Sequence, residues 1–223
     1  MPKQTETAAQ PRLPGRKAQA ARNDGLILDA ARAVFLDDPT APIAAVAERA
    51  GVGISALYRR YPSKEVLLRT LCHEGLRRFN VEADAALEDS DGWRGFVGFL
   101  ERVVEADVHS LTVNLAGAFT PDESMLPDVV HSGEAVAELV RRAHASGRLR
   151  ADFDAQDVGL LLEACAAVTM PDPVRTAELR QRVLALLIDG MTAEGDLPGP
   201  PPAVGEFAWR WEPSRLSAHS SQT

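Results

Sequence analysis

No apolar run in this 223-residue chain approaches the roughly 18–20 residues needed to span a bilayer, which argues against a membrane helix. Cysteine is scarce: Cys72 and Cys165 are the only two, and each sits in a helical pattern without metal-ligand spacing. Buried reduced thiols in a cytoplasmic protein are therefore expected, with no disulfide framework, bound metal or cofactor. Aromatic residues make up only 5% of the chain. Strand-like alternation of useful length is missing, as are a glycine-rich phosphate loop, a Cys/His cluster and a nucleophile elbow. His109, His131 and His144 are too scattered for a metal. An enzyme is not expected. The first residues hold Lys3, Arg12, Arg16 and Lys17 with no apolar stretch behind them, unlike a secretion signal.

What the chain has is charge asymmetry. Residues 1–78 carry 13 Lys+Arg against 8 Asp+Glu, net +5, while residues 79–223 carry 11 against 24, net -13. A basic end on an acidic body suits a polyanion at one end only. Apolar residues recur at helical spacing almost throughout, so the expected fold is all-α with nine helices. A basic arm without periodicity occupies residues 1–20. The first helix spans 22–37 with Ile27, Ala30, Ala31, Val34 and Phe35 on one face, and Asp38-Pro39 stops it. Thr40 is the expected N-cap of a short second helix ending at Ala50. Gly51-Val52-Gly53 turns the chain into a third helix, Ile54–Tyr61, which Pro62 closes. Ser63 caps a long fourth helix, 63–88, and Asp91 caps a fifth carrying Trp93, Phe96, Val97, Leu100, Val103 and Val104. Further helices are expected at 110–119, 124–146, 154–169 and 173–191, the last opened by Asp172-Pro173. Residues 195–223 are proline-rich and then serine-rich.

Residues 43–64 carry the most information. Two short helices joined by a three- to four-residue turn make a helix-turn-helix: Ala47 permits close crossing, Gly51 accepts a left-handed backbone, and Val46, Ala50, Val52 and Leu57 form the shared core. The second of these helices is short enough to enter a groove about 12 Å wide. Ser55, Tyr58, Tyr61 and Lys64 are candidate donors to phosphate, Arg59 and Arg60 add charge, and Arg60 is placed to reach a guanine edge.

The string Ala47-Glu48-Arg49-Ala50-Gly51-Val52-Gly53-Ile54-Ser55-Ala56-Leu57-Tyr58-Arg59-Arg60-Tyr61-Pro62-Ser63-Lys64-Glu65-Val66-Leu67-Leu68, with the first helix from Ile27 to Phe35, resembles the core of the tetracycline-repressor (TetR) family. The close match covers residues 22–72; beyond them only helix number and order agree. The resemblance implies a helix-turn-helix DNA-binding domain at 21–64 and a helical ligand-binding and dimerisation domain at 65–194, between the arm and the tail. It implies contacts to a double-stranded operator from Thr40, Gly53, Ser55, Ala56, Tyr58, Arg59, Arg60, Tyr61 and Lys64, with Tyr58 and Lys64 on phosphates and Ser55 and Ala56 lining the groove. Two positions depart from the family: Ala56 lacks a common hydroxyl, and Ile43 stands where Thr is frequent.

The implied protein is a cytoplasmic homodimer joined through its last two helices, 154–169 and 173–191, and released from a palindromic operator by a small molecule. Phe96, Phe99, His109, Asn114, Phe119 and Glu163, together with Met125, are the expected lining of that molecule's pocket. The fourth helix would carry the signal by changing tilt. A helical protein-binding adaptor, or an activator without an inducer, is the alternative.

Overall fold

Residues 16–115 and 117–206 are described by the computed structural model. They form nine α-helices and one 3-10 turn, and no strand is found among the described residues. The helices are α1 (Arg16–Asp37), α2 (Ile43–Ala50), α3 (Ile54–Arg60), α4 (Lys64–Leu87), α5 (Gly92–Glu105), α6 (Val108–Asn114), α7 (Leu126–Ala145), α8 (Asp157–Ala166) and α9 (Pro173–Met191), with the 3-10 turn at Glu123–Met125 before α7. The all-α expectation holds. None of the described helices is long and apolar enough to cross a membrane.

Short-range chemistry sets most boundaries. The side chains of Ser63, Asp91 and Asp172 each accept a backbone N–H in the first turn of α4, α5 and α9, from Val66, Arg94 and Val174, as N-caps do. Gly51, at φ 66°, closes α2 in the left-handed conformation while its N–H reaches back to Glu48 O. Thr40 does not cap α2. The helix starts after Pro42, and Thr40 instead donates both its N–H and its hydroxyl to Asp38 Oδ1, at 2.8 and 2.7 Å. An Asx turn captures the residue before the helix can use it. The first helix begins at Arg16 rather than Arg22, because Arg, Lys, Ala and Gln favour helix even where apolar periodicity is silent. The helix expected at 154–169 is shorter, Asp157–Ala166, since Asp154 and Asp157 tie a turn ahead of it. Residues 1–15 of the expected arm and 207–223 of the tail lie outside the described residues. Residues 195–197 lie against the body: Arg150 donates to Gly195 O, and Leu197 N–H to Asp152.

Two hydrophobic clusters share α4. One joins Ile27, Phe35, Val46 and Leu57 to Leu67, Leu71 and Cys72, and also takes in Leu111, Leu115, Phe119 and Met125. The other joins Ala83 and Ala86 to Phe96, Phe99, Leu139, Leu161 and Leu184. The head's core therefore continues past residue 64, through the first half of α4 and along α6. Between the clusters, His73, Arg77 and Asn80 all meet Asp128 at the start of α7: His73 Nε2 lies 2.6 Å and Arg77 Nε 3.3 Å from its carboxylate, and Asn80 donates to its carbonyl at 2.9 Å. At the far end, a Cβ on Gly92 would collide with the carbonyl of Arg142, so glycine there lets α5 and α7 touch.

Both cysteines are free and buried. Burial pushes the Cys72 thiol up to about 12, against Arg32 nearby, which favours the thiolate. Neither cysteine should react with iodoacetamide in the folded protein at pH 8.5, whereas both should in denaturant; mass spectrometry of the alkylated chain reads this directly. Because the unfolded thiol ionises near 9 and the folded one near 12, stability should decline as pH rises above 9.

Candidate nucleic-acid interface

The geometry that could meet a duplex is built on α3. Leu57 is its one fully buried anchor within Ile54–Arg60, and it locks the helix against α1 and α2 through the head cluster. Everything else on α3 faces outward or sits at the rim. Gly53, Ser55, Tyr58, Arg59 and Arg60 are exposed, and Ala56 is half-buried. Tyr58 keeps 46% of its surface in solvent. At seven residues the helix is roughly 10 Å long, comparable with the width of a major groove.

Three expected contacts are placed differently. Tyr61 is only 3% exposed and belongs to the head core; burial raises the pKa of its hydroxyl, and the ring lies under the Arg60 guanidinium at 5.7 Å. It packs rather than reaching a phosphate. Lys64 donates its ammonium to Pro39 O and Ala41 O at 3.0 and 2.7 Å, above the Phe35 ring. Burial lowers its pKa against the pull of Asp38, so its charge is spent tying down the α1–α2 connection. Arg60 is exposed, but its Nε is paired with Asp24 of α1 at 2.7 Å. Such a surface pair is worth at most about 1 kcal/mol, a weak restraint that a phosphate can outbid. Thr40 is exposed at the head's edge with its hydroxyl directed to Asp38.

Sequence spacing missed Ile54. The 54, 57, 61 pattern reads as one buried face, yet Ile54 is 41% exposed while Leu57 and Tyr61 are buried. It adds an apolar contact to the outward face, the kind that meets a thymine methyl. Its place at the first turn, just beyond Gly53, was the available signal.

The expected pocket residues are divided between the two cores and the surface. Phe96 and Phe99 are completely buried in the body cluster, Phe99 edge-on to Phe79 at 5.1 Å and Phe96 to Phe153 at 6.0 Å. Phe119 and Met125 belong to the head cluster instead. Asn114 is exposed and Glu163 half-buried. His109 alone combines burial with unspent polarity: it is 4% exposed, its Nδ1 lies 3.3 Å from Val103 O, and its Nε2 has no partner. Burial lowers its pKa, against Asp107 and with Arg180. The ring is thus neutral, Nδ1 donates to the carbonyl, and Nε2 is left as a bare acceptor. Ser110 Oγ beside it is also buried and unpaired. A recess of about 190 Å³ lies elsewhere, between α4 and the Asp122–Ser124 segment, and is lined by polar residues such as Arg69, His73 and Asp122.

Comparison with known proteins decides the family. Residues 27–71 match the bacterial regulatory proteins of the tetR family, and residues 93–193 match the C-terminal domain of SbtR-like transcriptional regulators. The chain belongs to the TetR family. This regulator is 35% identical over 122 residues to the HTH-type transcriptional repressor LfrR of Mycolicibacterium smegmatis, a match covering 52% of the chain and 62% of that relative. The match spans less than two thirds of LfrR's length. Among solved structures it resembles a TetR transcriptional regulator from Streptomyces coelicolor (TM-score 0.55, 22% identity, 77% of this chain and 99% of that one) and a TetR regulatory protein from Mycobacterium vanbaalenii (0.54, 25%, 79% and 99%). It also resembles LfrR from Mycobacterium smegmatis solved in complex with proflavine (0.52, 23%, 75% and 96%). At these identities the first and third establish the fold alone. Membership makes this chain a DNA-binding transcription regulator, not an enzyme, and assigns α2–α3 as its helix-turn-helix.

Proposed function

We propose that this TetR-family chain is a cytoplasmic repressor that binds a near-palindromic operator as a homodimer and is released by a small molecule. The observation that carries the reading is the outward face of α3: Ser55, Tyr58 and Arg59 all exposed on a helix held by one buried leucine. These donors suit phosphates and base edges, and the net +5 of the first 78 residues favours approach to the duplex.

Pairing through α8 and α9 is supported by apolar side chains left in solvent on one chain: Leu160, Met170, Val174 and Leu186, exposed by 44–68%. Pairing them across a two-fold axis makes a four-helix bundle and presents two α3 helices to one face of a duplex. For the effector, the Nε2 acceptor of neutral His109, with the buried Ser110 hydroxyl beside it, supports a ligand that brings an N–H or O–H donor into the interior. The relative LfrR was solved with proflavine, a flat aromatic amine, which makes that compound a reasonable first probe. The signal would run along α4, a rod of 24 residues and about 36 Å, whose first half packs in the head core and second half in the body core. A ligand that binds one tilt of this rod better than the other shifts the population by that difference alone.

Selection of bound duplexes from a random pool at fixed salt tests the reading. The expected product is an inverted repeat with half-sites about one helical turn apart. Binding without sequence preference would point to a protein-binding adaptor instead, and a single asymmetric site would remove the dimer.

A further inference from the structure

Asp107, between α5 and α6, is the one non-glycine residue with positive φ (51°) among the described residues. A left-handed backbone is costly for a side chain with a Cβ and is tolerated best by Asn and Asp. The residue is held there from two sides. Its carboxylate takes Nη1 of Arg180, on α9, at 2.6 Å, and its carbonyl accepts from Nη1 of Arg32, on α1, at 3.3 Å. Arg180 is 7% exposed and gives its other donors to the carbonyls of Val168 and Ala166, at 3.0 and 3.4 Å, just beyond α8 and at its last residue. Arg32 is half-buried, on the helix that carries Asp24 and the head core.

One residue therefore touches the DNA-reading head through its backbone and the α8–α9 pair through its side chain. A buried guanidinium cannot drift from its carboxylate without leaving an unpaired charge, so a displacement of α9 must carry Asp107 or break the pair. A residue in a constrained backbone conformation has few alternatives to occupy and passes such a displacement on.

We propose that Asp107 is a positioning joint through which the placement of α9 sets how α1, and with it the reading head, is seated. It rests on the repressor reading above and adds a route that bypasses α4: the helix that pairs the subunits bears on the head directly.

The test is a double-mutant cycle on operator affinity. Asp107→Asn keeps the left-handed tolerance and size but removes the charge opposite Arg180, and Arg32→Met removes the donor to the Asp107 carbonyl. Asp107→Asn in the wild-type background should weaken binding to the selected duplex by about fivefold or more, and in the Arg32→Met background by less than about twofold. Dimer content and thermal unfolding are followed for every variant. Equal loss in both backgrounds, or no loss in either, overturns the joint, because a merely structural role gives additive effects. Should Asp107→Asn fail to fold, Arg180→Lys takes its place in the cycle and is judged by the same two outcomes. A wild-type protein that selects no duplex at all refutes the repressor reading instead, so the two failures are distinguishable.

Discussion

Alanine at both Tyr58 and Arg59 should lower operator affinity on the order of 100-fold while leaving thermal unfolding unchanged. Both side chains are exposed, and no ion pair holds either one among the described residues, so neither contributes much to the folded monomer. A hydrogen bond to a charged group is worth about 1.5–3 kcal/mol; two lost contacts at the lower end come to about 3 kcal/mol, and each 1.4 kcal/mol is tenfold. The two residues separate on a salt titration. Only Arg59 displaces a counterion, so its loss should flatten the slope of log affinity against log salt by about 0.9, whereas loss of the Tyr58 hydroxyl should leave the slope as it is. An affinity equal to wild type would show that α3 does not face the duplex.

Phe99→Ala should destabilise the protein by about 3–5 kcal/mol, the usual cost of emptying a phenylalanine site in a packed core. For a chain of this size that corresponds to a fall in Tm on the order of 10 °C. Phe99 is entirely out of solvent and meets Phe79 edge-on, so an aromatic contact goes with the buried area. The outcome decides what the ring is for. A large loss of stability makes Phe99 part of the body's core; a Tm within about 2 °C of wild type would mean that the ring borders an open ligand cavity, as expected of a pocket-lining residue. Calorimetry of the variant suffices.

The candidate interface was legible in part, and the pattern of errors has one cause. Tyr58, Tyr61, Arg60 and Lys64 carry the same kind of donor chemistry and lie within seven residues, so a sequence treats them alike. In the fold they divide by direction. Tyr58 leaves the head, Tyr61 enters its core, Arg60 leans on Asp24, and Lys64 closes two carbonyls of the α1–α2 connection. Long amphipathic side chains have an apolar stem and a polar tip, and which of the two is used depends on neighbours tens of residues away. The expected pocket residues divide by the same principle. Phe96 and Phe119 were both expected to line one cavity, but Phe96 lies in the body cluster and Phe119, in the segment after α6, lies in the head cluster.

Events within a few residues were settled by the amino-acid order: where Ser63, Asp91 and Asp172 begin a helix, where Gly51 ends one, and that apolar spacing admits only helices. Caps, turns and periodicity act over one or two turns, so no distant partner is needed to read them. Which donors point outward, where α4 passes from one core to the other, and that Asp107 meets both Arg32 and Arg180, 75 and 73 residues away, were fixed only by packing. Close packing chooses among side-chain directions that are locally equal in energy, and that choice exists only once the whole chain has folded.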